Sequence, residues 1–143
     1  KRGLEMKCLT ALLLMIGHSV AAEDYTLGSL IVTDAYSYTA TGKTGAGYFT
    51  LTNGGAADVL ISVEASFPRV MMHESKMEDG VMVMVHLMTV EVPEFGRVEF
   101  VPGGYHIMFM GLKDSLDAGD QINATLNFKN AGPLAVAFEV KDR

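Results

Sequence analysis

The sequence predicts an all-β chain folded as a sandwich or barrel, and three observations carry that prediction. From Tyr25 onward, short runs rich in Val, Ile, Thr and aromatic residues recur at regular spacing, the composition of half-buried strands. Clusters of Gly, Asn, Asp and Pro separate these runs, as turns require. No stretch combines helical periodicity with the length and caps of a helix. Many short strands with turns between them indicate a sandwich or a barrel.

The expected strands are Leu27–Thr33, Gly47–Thr52, Val59–Ala65, Arg69–His73, Val81–Leu87, Arg97–Phe100, Tyr105–Gly111, Gln121–Asn127 and Leu134–Val140. Turn residues stand between them at Asn53-Gly54-Gly55, Glu78-Asp79-Gly80, Pro102-Gly103-Gly104 and Ala118-Gly119-Asp120. Ala35 to Gly47 has the weakest strand pattern and reads as a loop.

Upstream of the strands, Met6-Lys7 opens a short basic region, and Leu9 to Ile16 is an apolar run too short to span a bilayer. Val20-Ala21-Ala22 supplies small residues at the spacing of a signal-peptidase site. Residues 1–22 therefore read as upstream residues and a cleaved secretory signal. Residues 23–143 read as a single domain with no stable membrane insertion, exported to the periplasm. No lipobox cysteine follows the apolar run, so a lipid anchor is not expected. Removing Lys1, Arg2, Lys7 and Glu5 leaves the domain two charges more acidic than the chain's −6. Such a domain lacks the basic surface that nucleic acid or anionic lipid needs and suits a cationic ligand.

The one cysteine, Cys8, falls in the expected signal. A domain without cysteine has no thiol nucleophile, zinc–thiolate site, iron–sulfur cluster or blue-copper centre. No nucleophile elbow or phosphate-binding glycine loop is present. No enzyme chemistry is expected.

Strand parity locates what chemistry there is. Alternate residues face opposite ways, so His106, Met108 and Met110 share one face, and Tyr105, Ile107 and Phe109 the other. Met82, Met84, His86 and Met88 likewise oppose Val81, Val83, Val85 and Leu87, while Met71 and His73 oppose Val70 and Met72. A plain apolar core gives no reason for this separation. Within it, His73, ten residues, Met84, twenty-one residues, His106, one residue and Met108 form a candidate ligand set. The turn at Glu78-Asp79-Gly80 would bring His73 and Met84 together. Soft thioether sulfur is a poor ligand for zinc, calcium or magnesium and favours Cu(I), which imidazole also suits. The expected cofactor is one Cu(I) per chain, held by His73, Met84, His106 and Met108. Taken singly, Met71, Met72, Met77, Met82, Met88 and Met110 read as core filler, and His86 as a surface residue. Glu74, Glu78 and Asp79 read as a solvated turn beside the site.

The segment His73-Glu74 to Met84, enclosing Met77-Glu78-Asp79-Gly80-Val81-Met82, resembles the periplasmic PCu(A)C copper chaperones. So do Pro102-Gly103-Gly104-Tyr105-His106-Ile107-Met108-Phe109-Met110-Gly111-Leu112 and Gly45-Ala46-Gly47-Tyr48-Phe49-Thr50-Leu51-Thr52-Asn53. The resemblance covers about Leu27 to Val140. It implies a cupredoxin-like Greek-key β-sandwich with an accessible Cu(I) site, and His73, Met84, His106 and Met108 fall on the family's ligand positions. It implies delivery of copper to the CuA domain of cytochrome c oxidase subunit II, directly or with a Sco-type protein, by a monomer. The chain departs from the family in having Ala35-Tyr36-Ser37 where Trp-Ala-Arg is usual. It has Val83 and Val85 where arginines alternate with methionines, and His86 where proline is common. No His/Met-rich tail follows Val140, so a second site there is not expected. Copper sequestration or uptake needs the same ligands, and a non-metal β-sandwich interaction module is the competing reading.

Overall fold

The computed structural model describes residues 23–143. The expected leader at residues 1–22, its cleavage point at Ala22 and Cys8 lie outside the described residues. Eleven strands carry the fold: β1 (Tyr25–Leu27), β2 (Leu30–Tyr38), β3 (Thr44–Asn53), β4 (Asp58–Ala65), β5 (Arg69–Glu78), β6 (Val81–Leu87), β7 (Val90–Val92), β8 (Arg97–Phe100), β9 (Tyr105–Met110), β10 (Gln121–Phe128) and β11 (Gly132–Lys141). Neighbours follow the order β6-β5-β9-β8-β3-β2-β11-β10-β4-β7, with β1 on β2 and a further β9–β3 pairing. Most pairs are antiparallel, while β11–β2 and β8–β9 are parallel. The result is the expected all-β, sandwich-like, cupredoxin-like fold.

The core is where the two halves of this strand order face each other. Phe49 stacks on Phe100 at 4.3 Å, and Phe138 meets both Phe49 and Phe109 edge-on at 6.0 and 5.8 Å. These four rings, on β3, β8, β11 and β9, are all fully buried. Aromatic pairs in such offset and edge-to-face geometries add to the burial of apolar area. A Cβ on Gly47 would come within 2.9 Å of the Phe109 ring, which leans from paired strand β9 over this position and leaves room only for glycine. Buried Asn53 joins the loops around it. Its Nδ2 donates to the Ala56 and Pro93 carbonyls, and its Oδ1 accepts from Gly55 N and Ser29 Oγ.

Three differences from the expected elements have local causes. The expected strand Leu27–Thr33 is broken by the Gly28-Ser29 turn, which folds β1 back on β2 as a hairpin. Ala35 to Gly47 is largely strand rather than loop. Asp34 takes φ of 51° and the β2–β3 register shifts between Thr33 and Tyr36. A bulge of this kind inverts the alternation beyond it, which is why the pattern read from Leu30 does not continue through Tyr38. β5 continues to Glu78, five residues past its expected end at His73, because it pairs with β6 down to the turn.

Candidate metal centre

The β5–β6 hairpin closes on Asp79-Gly80, with φ of 49° and 79°. Two central residues at positive φ are the mark of a type I′ turn, for which Asp-Gly is a favoured pair. This two-residue loop makes Glu78–Val81 the hydrogen-bonded closing pair. Met77–Met82, Ser75–Met84 and His73–His86 then become the non-hydrogen-bonded pairs, whose side chains stand closest. On its other side β5 pairs with β9, setting His73 opposite His106 and Met71 opposite Met108.

Directly paired residues share a face. The register therefore puts His73, Met84, His106 and Met108 on one face of three adjacent strands. Met84 is the diagonal neighbour of His73, and Met108 is two residues from His106. The parity expectation holds, since Met72, Ile107 and Phe109 on the opposite face are core residues. Glu74 and Glu78 alternate out of register with His73 and so lie on the face away from it. Glu78 pairs there with Lys76 at 3.8 Å. Neither carboxylate is placed to ligate an ion between the imidazoles.

The three histidines form a row across the strands. The His73 ring lies edge-on to His86 at 5.6 Å and to His106 at 5.7 Å. His106 is buried, and its Nδ1–H donates to the Gly104 carbonyl at 3.1 Å. That carbonyl also accepts the Ser75 amide at 3.1 Å, so the Pro102-Gly103-Gly104 turn is tied to both β5 and the imidazole. With Nδ1 committed as donor, Nε2 of neutral His106 carries the free lone pair. His106 Nε2 and His73 Nδ1 are both buried without a hydrogen-bond partner. Native structures rarely tolerate this, and when they do a ligand is a standard reason. Burial holds the His73 imidazole below its ordinary pKa, and the neighbouring charges of His106, His86 and Arg69 push the same way. His73 is thus biased towards the neutral form that binds metal.

Reading the sequence alone missed two parts of this arrangement. The Gly104 carbonyl orients His106, and only the glycine turn just before the His-x-Met pair hinted at it. The exposed His86 faces His73 directly. The core-filler expectation also fails for three methionines. Met72 is in the core, but Met77, Met82 and Met88 are exposed on or beside the arm. Among the described residues no group of three or more His, Cys, Asp or Glu side chains is arranged to hold a metal. An ion at the two imidazoles would have to be completed by thioether sulfur.

The fold defines the class: a cupredoxin-like β-sandwich, similar in fold to solved PCuAC domains. The copper-bound PCuAC domain from PmoF2 superimposes with a TM-score of 0.72 at 20% identity, covering 85% of this chain and 99% of that one. The apo PCuAC domain from PmoF1 gives 0.71 at 21%, covering 85% and 100%. The solution structure of Cu(I)-bound DR1885 from Deinococcus radiodurans gives 0.56 at 27%, covering 87% and 83%. At the level of sequence, the chain belongs to the LpqE-like family, whose model, described as "Putative lipoprotein LpqE-like", matches residues 30–140. "Putative lipoprotein Lxx21020" of Leifsonia xyli subsp. xyli is 34% identical over 92 residues, which is 64% of this chain and 55% of that protein. The chain thus spans about half the length of the curated relative it matches. No helix among the described residues is long and apolar enough to cross a membrane.

Proposed function

We propose that this protein is an extracytoplasmic Cu(I) carrier that holds one ion through His73, Met84, His106 and Met108. The observation that carries this reading is the pair of buried, unpartnered imidazole nitrogens, His73 Nδ1 and His106 Nε2, on the face that also carries Met84 and Met108. Two neutral imidazoles and two neutral thioethers are a soft donor set that suits Cu(I) and leaves the site with a charge of +1. Copper-bound PCuAC structures on the same fold support the choice of metal, and the lipoprotein names of the family and relative support export.

Copper here is cargo. His106, buried and oriented by Gly104, and half-buried His73 form the fixed side of the site. Met84, 61% exposed, forms the open side. An acceptor can therefore displace Met84 first and draw the ion out by stepwise ligand exchange, with no catalytic group required. Following the resemblance to PCu(A)C chaperones, we assign the acceptor as the CuA domain of cytochrome c oxidase subunit II, reached directly or with a Sco-type protein. Sequestration or uptake would use the same ligands with a different acceptor.

Competition with a Cu(I)-specific chelator tests the centre. The wild-type chain should take one tightly held equivalent, and Met84→Ala combined with Met108→Ala should weaken it by more than about 100-fold, at or beyond what loss of a supporting group costs. Full affinity in that double variant would remove these residues from the site. Transfer is tested by NMR of the Cu(I)-loaded chain: ligand shifts should revert on addition of a CuA domain, and no reversal would reject that acceptor.

A further inference from the structure

We propose a second soft-metal site at the tip of the β5–β6 arm, formed by the thioethers of Met77, Met82 and Met84 and taking Cu(I) or Ag(I). Its role as an entry station rests on the carrier reading above, but its existence as a binding site does not.

Three observations carry it. The first is register. Met77 and Met82 are directly paired one step in from the Asp79-Gly80 turn, in a non-hydrogen-bonded position where side chains are closest. Met84 is two residues along from Met82 on the same face, a diagonal distance of about 7–8 Å from Met77 that long side chains bridge. The second is exposure. Met77, Met82 and Met84 are 60%, 56% and 61% exposed, so none is there to fill a core, the usual reason for a methionine in a β-sandwich. The third is chemistry. Within this face of the arm the residues from the turn inward are Met77, Met82, Ser75 and Met84, with no carboxylate or amine among them. Lys76 and Glu78 pair with each other on the opposite face. A face offering three neutral thioethers, one hydroxyl and no charged donor favours soft monovalent ions over hard ones.

Met84 is the link between the sites. It stands opposite Ser75, between Met82 and the row His86–His73–His106. An ion captured by Met77, Met82 and Met84 can exchange Met77 and Met82 for His73 and His106 while Met84 stays bound. No bond to the ion needs to form from bulk water, no electron moves, and each displaced thioether leaves as a neutral ligand. The exposed tip is thus the entrance to the histidine centre.

Ag(I), redox-inert and diamagnetic, is the probe. The full chain, labelled at the methionine methyl groups, is titrated with up to two equivalents and followed by NMR. The first equivalent should move the Met84 and Met108 methyls together with the His73 and His106 rings. The second should move the methyls of Met77 and Met82, and move the Met84 methyl a second time, since the two sites share that thioether. In Met77→Leu with Met82→Leu, exposed and size-conserving changes that leave the core untouched, the second equivalent should be lost and the first retained. In His73→Ala with Met108→Ala, the first equivalent should move to Met77 and Met82. Methyls of Met77 and Met82 that stay fixed through two equivalents in both the wild type and the histidine variant overturn the proposal. Response at the tip with none at His73 and His106 would support the tip site and reject the inner centre instead.

Discussion

At the scale of the residue, the site depends on which nitrogen of each histidine is free. The Gly104 carbonyl can only accept, so His106 must donate from Nδ1. The neutral apo protein should therefore hold His106 as the Nδ1–H tautomer, with Nε2 as the ligating atom. Long-range nitrogen–proton NMR of the imidazole checks this directly, and an Nε2–H signal for His106 would refute it. The four proposed ligands were legible because face follows from spacing: an i, i+2 pair on one strand, and a turn that folds His73 towards Met84. Depth was not legible. Alternation says which side of a strand a methionine occupies, but not whether another layer covers that side. For this reason Met72 met the core-filler expectation, whereas Met77, Met82 and Met88 did not. The Gly104 carbonyl was hidden for a different reason: a backbone acceptor has no residue type to betray it.

At the scale of the element, the β5–β6 arm is an edge ribbon whose geometry is set by its turn. Gly80 at φ of 79° occupies a conformation that a Cβ disfavours by about 1–2 kcal/mol. Gly80→Ala should lower global stability by no more than that amount and speed amide exchange across β6, since an edge ribbon opens locally; unchanged protection in β6 would contradict this. In the other half of the strand order, buried Asp58 fastens the start of β4 to the β10–β11 turn. Its carboxylate accepts from the amides of Val59 at 2.7 Å and of Asn130 and Ala131 at 2.9 Å. Burial alone would raise its pKa, but these three donors outweigh burial and hold it below the usual carboxylate value. A lowered folded pKa means stability that is fully present above the unfolded value, about 3.9, and lost as pH falls through the folded one. Asp58→Ala should cost roughly 3 kcal/mol at neutral pH, and its gap from wild type in urea unfolding should narrow as pH drops below about 3.9. A gap that stayed constant with pH would mean that the charge is not what matters. Turns such as Asp79-Gly80 were legible because their residue types answer to a local backbone need. The β2 bulge was not, because nothing in Thr33-Asp34-Ala35 outside its tertiary setting demands that the register shift there.

At the scale of the whole molecule, core and site lie on opposite faces of the same strands, and this separation predicts how stability and copper are coupled. The core residues on β9 are Ile107 and Phe109, while Met108 between them points the other way, with Met84 exposed on the arm. Removing both thioethers therefore takes nothing from the aromatic cluster of Phe49, Phe100, Phe109 and Phe138. The apo chain should be folded, and Met84→Ala with Met108→Ala should melt close to the wild-type apo temperature. Phe109→Ala, which removes a fully buried ring packed against Phe138, should lose about 3–5 kcal/mol. Cu(I) should then raise the wild-type Tm by mass action alone, since an ion that binds only the folded state adds about 2.7 kcal/mol at 100 times its Kd. The same ion should not raise the Tm of the double methionine variant through the inner centre. Parallel melts of the three proteins with and without Cu(I) under anaerobic conditions separate the two contributions. An apo wild type that is unfolded would mean that the metal builds the fold. A Phe109→Ala chain still stabilised by Cu(I) would show the site surviving on a weakened core, as expected when two faces of one strand do separate jobs.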